Sequence, residues 1–530
     1  MSEPPKTNAK EEPSEQETKI VRAPLFEYPE LPKTEMRLYW TVIVLVFVYA
    51  WYAIYQASQE FPWLETWGRG IYVQLPYFGE RIKDVSNYEW EKWRPLAYKL
   101  VPAWLGHCLV FNAVHKMCGE TRKHLPEISS FIYSTIACCF VFDVPSVLVC
   151  MAHGAVIFIV TRLFKHKLAI WISTIPVLWV TLHNPFALPL SDPFYPLILH
   201  AYKLLCFISY NIDYLDGRTR PEDQSFGKGI FRMYFYAFYM PYLISLIVIY
   251  HDFERQLSER SARTRDWKDI LVHGLRMVFW FYFCDFILHF FYFEAILYDQ
   301  DTLYRLTQDK LTAVGYAIGQ FFHLKYAVIF GIPRFFAKLD NMQPAEGPIC
   351  ISRVALYSKI WRQFDRGLYA FFKHYIFLPI IRPTFSLARK IFGVLISYAF
   401  VLIWHGTQHN NIVWILLNIC ELFMEAGAKS IYCIPAVRGW RQRHISDCNF
   451  RRFLAWLQIV PFAFALYSTF YFLAGSRAGW VFVDRIFWGE TVTVQWPFLL
   501  LISIGYCYCN VCMEVERLQA VKLARRKKTQ

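Results

Sequence analysis

Long apolar runs alternate with short polar connections along this chain, and run length sets the reading. Runs at 38–57, 96–117, 128–142, 145–164, 168–182, 194–210, 229–250, 270–297, 312–335, 391–404, 411–433, 452–474 and 494–512 recur throughout. Crossing a bilayer takes about 20 apolar residues, so the pattern predicts an all-α polytopic membrane protein with about ten to twelve embedded segments. The run at 128–142 is short and stops at Asp143-Val144-Pro145, which predicts a half-spanning or re-entrant element. Residues 58–94 read as a polar, aromatic-rich loop with amphipathic stretches at 61–75 and 88–93. From Ser352 to Leu378 apolar residues (Val354, Tyr357, Trp361, Phe364, Leu368, Phe371, Phe372, Tyr375) recur at helical spacing, with Lys359, Arg362, Arg366 and Lys373 between them. That spacing predicts an amphipathic helix lying along the membrane surface.

Composition sharpens this picture. Apolar residues make up 55% of the chain and aromatics 19%, while charged residues reach only 18%. Soluble domains carry about 25% charge. The net charge of +14 sits in loops, as at Arg260–Arg265 and Arg438–Arg443, and in the tail Arg525-Arg526-Lys527-Lys528. Such a distribution sets topology and gives no nucleic-acid-binding stripe. It predicts three parts: a disordered cytosolic arm at 1–36, a multi-span body at 37–512 and a basic cytosolic tail at 513–530. Fourteen cysteines, mostly inside apolar stretches, form no secreted disulfide framework. Cys507, Cys509 and Cys512 near the end of the last run are either S-acylated or small hydrophobes in a helix. Lys527 and Lys528 sit where a dilysine retrieval signal of the endoplasmic reticulum would lie.

Candidate chemistry is confined to a few positions. Trp404-His405-Gly406 closes the apolar segment 391–403. An imidazole at membrane depth is costly, so it is a functional candidate, set against a helix-end histidine bonded to a carbonyl. Forty positions upstream lies Trp361-Arg362-Gln363-Phe364-Asp365. Asp365 either pairs with Arg362 or Arg366 on a helix, or joins a basic cluster that handles a phosphate-bearing substrate. Asn418 and Glu425, two turns apart after His405, either orient it and line a polar tunnel or tie helices together. Cys350 alone reads as a packed thiol.

Read together, these stretches resemble the membrane-bound O-acyltransferase superfamily, and within it the Hedgehog acyltransferase branch. The resemblance rests on Gly319-Gln320-Phe321-Phe322 with Lys325-Tyr326, Gly331-Ile332-Pro333-Arg334, Leu339-Asp340, and Cys350 leading to Trp361 through Leu368. It continues through Trp404-His405-Gly406, Trp414, Asn418, Glu425, Gly427, Phe472-Leu473-Ala474-Gly475 and Arg485-Ile486-Phe487. It implies helices around a central tunnel, and transfer of a palmitoyl group from palmitoyl-CoA to the N-terminal amine, usually of cysteine, of a secreted Hedgehog-like or EGF-like signalling protein in the lumen. It gives His405 the family's histidine role, Asp365 that of its partner acid, and Cys350 the thiolate that holds a haem B. Trp361 and Arg362 are then candidates for the CoA-side mouth, and Asn418 for steadying an oxyanion. The stretch Leu378-Pro379-Ile380-Ile381-Arg382-Pro383 departs from the Gly-Gly that animal relatives carry there. Acylation of a lipid or glycerol-type acceptor, or a non-catalytic transporter or binder, are the competing readings.

Overall fold

The computed structural model describes residues 26–60, 68–118, 122, 124–183, 193–382, 384–488 and 496–529. The chain opens with α1 (Lys33–Gln59), a hairpin of β1 (Gly70–Leu75) and β2 (Gly79–Asp84), and α2 (Tyr88–Cys118). Next come α3 (His124–Phe142), α4 (Val144–Phe164), α5 (Lys167–His183), α6 (Phe194–Leu215), α7 (Phe226–Ala237), α8 (Tyr250–Glu259) and α9 (Trp267–Ile287). Two short turns, α10 (Phe293–Ile296) and α11 (Gln300–Arg305), lead into the long α12 (Gln308–Leu339). After it lie α13 (Tyr357–Gln363), α14 (Arg366–Phe371), α15 (Leu378–Ile381), α16 (Leu387–His405), α17 (His409–Tyr432), α18 (Pro435–His444), α19 (Asp447–Val483) and α20 (Trp496–Thr529).

Among the described residues, eight helical segments are long and apolar enough to cross a membrane: α1, α3, α4, α9, α16, α17, one running from α19 to Ile486, and most of α20. Their outer faces carry exposed Leu38, Leu45, Val48, Ile132, Leu148, Leu271 and Leu416, as lipid contact requires. Helices α2, α5, α6 and α12 pack among them, and α12 touches α1, α2, α9 and α19. The architecture is an all-α, multi-pass membrane fold with one small hairpin among the described residues. The hairpin pairs Gly70 with Asp84 through Leu75 with Gly79, in a stretch whose sequence reads as loop.

Several local expectations change. The run at 128–142 extends back to His124 as a helix long enough to cross, and Asp143, at φ 101°, turns the chain straight into α4. The Asp143 carboxylate accepts from the Ser146 amide at 2.7 Å, so the break is a helix cap rather than a half-span. The run at 229–250 is not one span: α7 ends at Ala237 and the chain becomes irregular to Ile249, with Ser245 at φ 69°. Residues 235–250 are all buried, which is where such backbone is tolerated at membrane depth.

The amphipathic helix expected over 352–378 is also broken. Its pieces turn at Phe364-Asp365 and widen into a π-helical stretch at Phe372–Phe377, and Phe371, Phe372, Tyr375 and Ile376 are buried in the main core. A surface helix would leave those rings to lipid or water; here they wrap into the protein beside Phe400. The N-terminal arm is docked from Phe26 onward: Phe26 packs edge-on against Phe450, and Arg451 donates to the Pro29 carbonyl at 2.6 Å. Residues 1–25 lie outside the described residues. The basic tail continues α20 as helix to Thr529. Cys509 and Cys512 are buried in the small core between α1, α19 and α20, so they pack as hydrophobes, while Cys507 is half-buried.

Candidate functional site

Helix α16 delivers His405 at its last turn. Ser386 caps the start of the helix, its hydroxyl accepting from the Arg389 amide. Gly406, at φ 94°, ends it immediately after the histidine. A side chain there would both demand a strained backbone and strike Gln408. The exposed carbonyls are then satisfied by Asn411, whose amide donates to the His405 oxygen at 2.7 Å and to the Gly406 oxygen at 3.1 Å. The Trp-His-Gly spacing is thus a helix-stop that fixes one imidazole in place.

The ring sits between aromatic walls. Trp414 and Phe472 meet it nearly edge-on, with centroids 5.1 and 5.2 Å away, and those two rings stack on each other at 4.1 Å. His405 lies among many protein atoms yet keeps accessible surface. Phe472 comes from α19, three residues before the helix breaks at Gly475, where φ is 79°. Glu89, at the start of α2, lies within electrostatic reach of His405. Glu89 pairs with Lys325 at 2.6 Å and accepts from the Tyr326 hydroxyl at 2.7 Å. Lys325 also donates to Asn87 at 3.2 Å, and Asn87 donates to Glu294 at 2.6 Å.

Asp365 is placed differently from its expected partnership. Its carboxylate accepts from the Leu368 amide at 2.8 Å and so caps α14. Among the described residues no hydrogen bond or salt bridge joins it to His405, Arg362 or Arg366, and Arg366 pairs with Glu346 at 3.1 Å. Burial pushes the Asp365 carboxyl up to about 6. Tyr202 and Tyr326 lie within electrostatic reach of both Asp365 and Glu89, and Tyr202 meets Trp404 edge-on at 5.7 Å. Asp365 and His405 therefore come from different elements and share no direct bond among the described residues.

Trp361, Asn418 and Arg362 are placed by hydrogen bonds within the protein. Trp361 donates through its indole to Asn418 Oδ1 at 2.9 Å and stacks on Trp414 at 5.9 Å. Asn418 donates to the Trp414 carbonyl. Asn418 thus ties the Trp361 indole to the backbone of Trp414, whose ring walls His405. Arg362 turns back along its own helix to the Ser358 carbonyl at 2.8 Å, and Ser358 in turn bonds Glu425. Arg362 remains exposed. Glu425 and Glu421 share one face of α17, and the Glu421 carboxylate is fully buried with no hydrogen-bond partner among the described residues.

Cys350 is a half-buried free thiol in the segment between α12 and α13. No group of three His, Cys, Asp or Glu side chains among the described residues is placed to hold a metal ion. Cys350 thus offers a single sulfur donor, which a haem iron can accept from a protein. Sequence reasoning missed Glu89. Its only signal was a carboxylate beside Trp90 and Trp93 in a stretch that reads as loop.

Residues 197–471 match the family described as MBOAT, membrane-bound O-acyltransferase family. The chain is similar to protein-cysteine N-palmitoyltransferase HHAT of Mus musculus, at 25% identity over 90% of this chain and 97% of that protein. It is similar to protein-cysteine N-palmitoyltransferase Rasp of Drosophila melanogaster, at 26% identity over 92% of this chain and 95% of that protein. A further similarity, to membrane-bound O-acyltransferase GUP1 of Candida tropicalis, is 24% over 47% of each chain.

Proposed function

The chain belongs to the membrane-bound O-acyltransferase family, and on that premise we propose that it is a protein-cysteine N-palmitoyltransferase. It takes a palmitoyl group from palmitoyl-CoA and transfers it to the N-terminal amine, usually of cysteine, of a secreted Hedgehog-like or EGF-like signalling protein. The site of action is the endoplasmic-reticulum membrane, with both termini cytosolic and the hairpin end facing the lumen. Two relatives named for this activity match nearly end to end. The observation that carries the reading is His405: an imidazole deep in the protein, walled by aromatic rings, and still accessible.

The chemistry follows from that placement. The neutral imidazole accepts a proton from the attacking amine as nitrogen bonds to the thioester carbonyl carbon. The tetrahedral intermediate collapses, the carbon–sulfur bond breaks, and the CoA sulfur leaves with the proton carried by His405. General-base help contributes about 10²–10⁴-fold, so holding both substrates in line supplies the remainder. Aromatic walls favour this division of labour, because they grip the acyl chain and keep bulk water from hydrolysing the thioester. Glu89, neutralised by Lys325, holds the Tyr326 hydroxyl in place beside the reaction region. Trp361 and Asn418 act as positioning residues for Trp414.

Cys350 would supply the thiolate that holds a haem B, whose contribution would be structural. A Soret absorption band that disappears in Cys350→Ser would support that assignment, and its absence from protein purified with haem supplied would remove it. The experiment for the activity itself is incubation of the purified protein with labelled palmitoyl-CoA and a Cys-initiated peptide, with membrane lipids as the competing acceptor. Amide-linked label on the peptide supports the proposal; label only on lipid overturns it.

A further inference from the structure

Helices α4 and α6 come close together at Gly154, where a Cβ would lie 2.6 Å from the tip of the Phe207 ring. His153, the residue before that glycine, packs its ring against the ring of His200. His200 lies two turns before Phe207 on the same face of α6. The two imidazole centroids stand 5.6 Å apart and the ring planes cross at 74°. His200 is only 1% exposed, so its hydrogen bonds must be found inside the protein.

One of them is. The Nδ1 of His200 lies 3.1 Å from the Pro196 carbonyl oxygen. A carbonyl has no proton to give, so Nδ1 carries the hydrogen and Nε2 is left with a lone pair. That Nε2 is buried and has no hydrogen-bond partner among the described residues, and the same is true of His153 Nδ1. A histidine that binds a metal is held in this way, with its other ring N–H given to a backbone carbonyl. Asp143, the cap of α4, lies within electrostatic reach of His200, and its negative charge favours a cation there. Lys203, one turn further along α6, gives its ammonium to the Ala237 and Tyr242 carbonyls.

We propose that His153 and His200 hold one Cu⁺ ion that clasps α4 to α6. Imidazole nitrogen suits copper and zinc and not the hard cations magnesium and calcium. Metal–nitrogen bonds of about 2.0 Å each fit one ion between rings at this separation. Among the described residues no third His, Cys, Asp or Glu completes a metal site. Zinc asks for four ligands, whereas monovalent copper is content with two nitrogens. Its single charge is also the less costly one to bury. The clasp stands apart from the reaction and does not depend on the acyltransferase reading.

The test is anaerobic titration of the purified protein with Cu⁺ against a chromophoric chelator, after accessible thiols have been alkylated, with a parallel titration using Zn²⁺. Wild type is expected to take up one Cu⁺ per chain, at least about tenfold more tightly than Zn²⁺. His200→Leu and His153→Leu are expected to weaken Cu⁺ binding by about 100-fold or more, since losing a group that merely orients a metal ligand costs about 10–100-fold. His153→Met, close to leucine in volume but carrying a soft thioether, is expected to stay within about tenfold of wild type. That split distinguishes a lost donor from a disturbed fold. No uptake of Cu⁺ by wild type, tighter binding of Zn²⁺, or equal behaviour of His153→Leu and His153→Met overturns the inference.

Discussion

Two histidines invite the same interpretation, and the structure treats them in opposite ways. His107 has the more enzyme-like neighbours: Ser134 Oγ at 3.0 Å on one ring nitrogen and Asp340 at 3.3 Å on the other. Tyr239 and Asn112 also bond Asp340, at 2.6 and 2.7 Å. Yet His107, Ser134, Asp340 and Tyr239 are all fully buried, so nothing can reach the serine. His405 has no acid within hydrogen-bonding distance among the described residues and only aromatic rings at its sides, but it keeps an accessible face. Access, not the list of neighbours, separates a candidate base from a polar staple.

That contrast can be broken or sharpened by substitution. Asp340→Ala has the largest expected effect, because it leaves His107, Tyr239 and Asn112 without their shared acceptor in a sealed core. A loss of about 3–5 kcal/mol is expected, read as collapse of the monodisperse fraction and of the thermal transition. A variant that melts like wild type would mean that the cluster is not a staple. Glu89→Gln should lower peptide acylation about tenfold while destabilising the protein less, since Lys325 keeps Asn87. The double variant Glu89→Gln/Lys325→Met should lose less than the sum of the singles, measured as a double-mutant cycle.

Asp365 gives a pH signature. Its folded value of about 6 lies above that of an unfolded aspartate. The native state therefore binds the proton more tightly, and stability contributed here is full below about pH 4 and is lost as pH rises to about 6. Asp365→Asn, which can still cap α14, should flatten that slope in thermal melts taken across the window. Equal slopes in both proteins would contradict the burial argument. Smallest of all is Ser134→Ala: acylation within about twofold of wild type, because a sealed hydroxyl takes no part. A hundredfold loss in a stable Ser134→Ala protein would reverse the roles assigned to the two histidines.

Much of this was legible in the sequence. Run length and composition gave the multi-pass helical class, and Trp404-His405-Gly406 marked the residue that the structure leaves accessible. The glycine mattered for a reason that spacing alone cannot supply, since it ends the helix and frees carbonyls for Asn411. What could not be read was three-dimensional pairing. The hydrogen bond from the Trp361 indole to Asn418, 57 positions on, is one such pairing. Glu89 and Lys325 lie 236 positions apart, and no periodicity links them. The run at 229–250 is apolar for the same reason a span is, yet its residues serve as irregular backbone inside the protein, where burial on all sides demands the same composition.

The most direct test of the account is single-turnover transfer from labelled palmitoyl-CoA to a Cys-initiated peptide by wild type and by His405→Ala, with donor retention measured in the same samples. The account predicts that donor is retained and that the transfer rate falls by about 10²–10⁴-fold. Transfer at the wild-type rate by His405→Ala would contradict it.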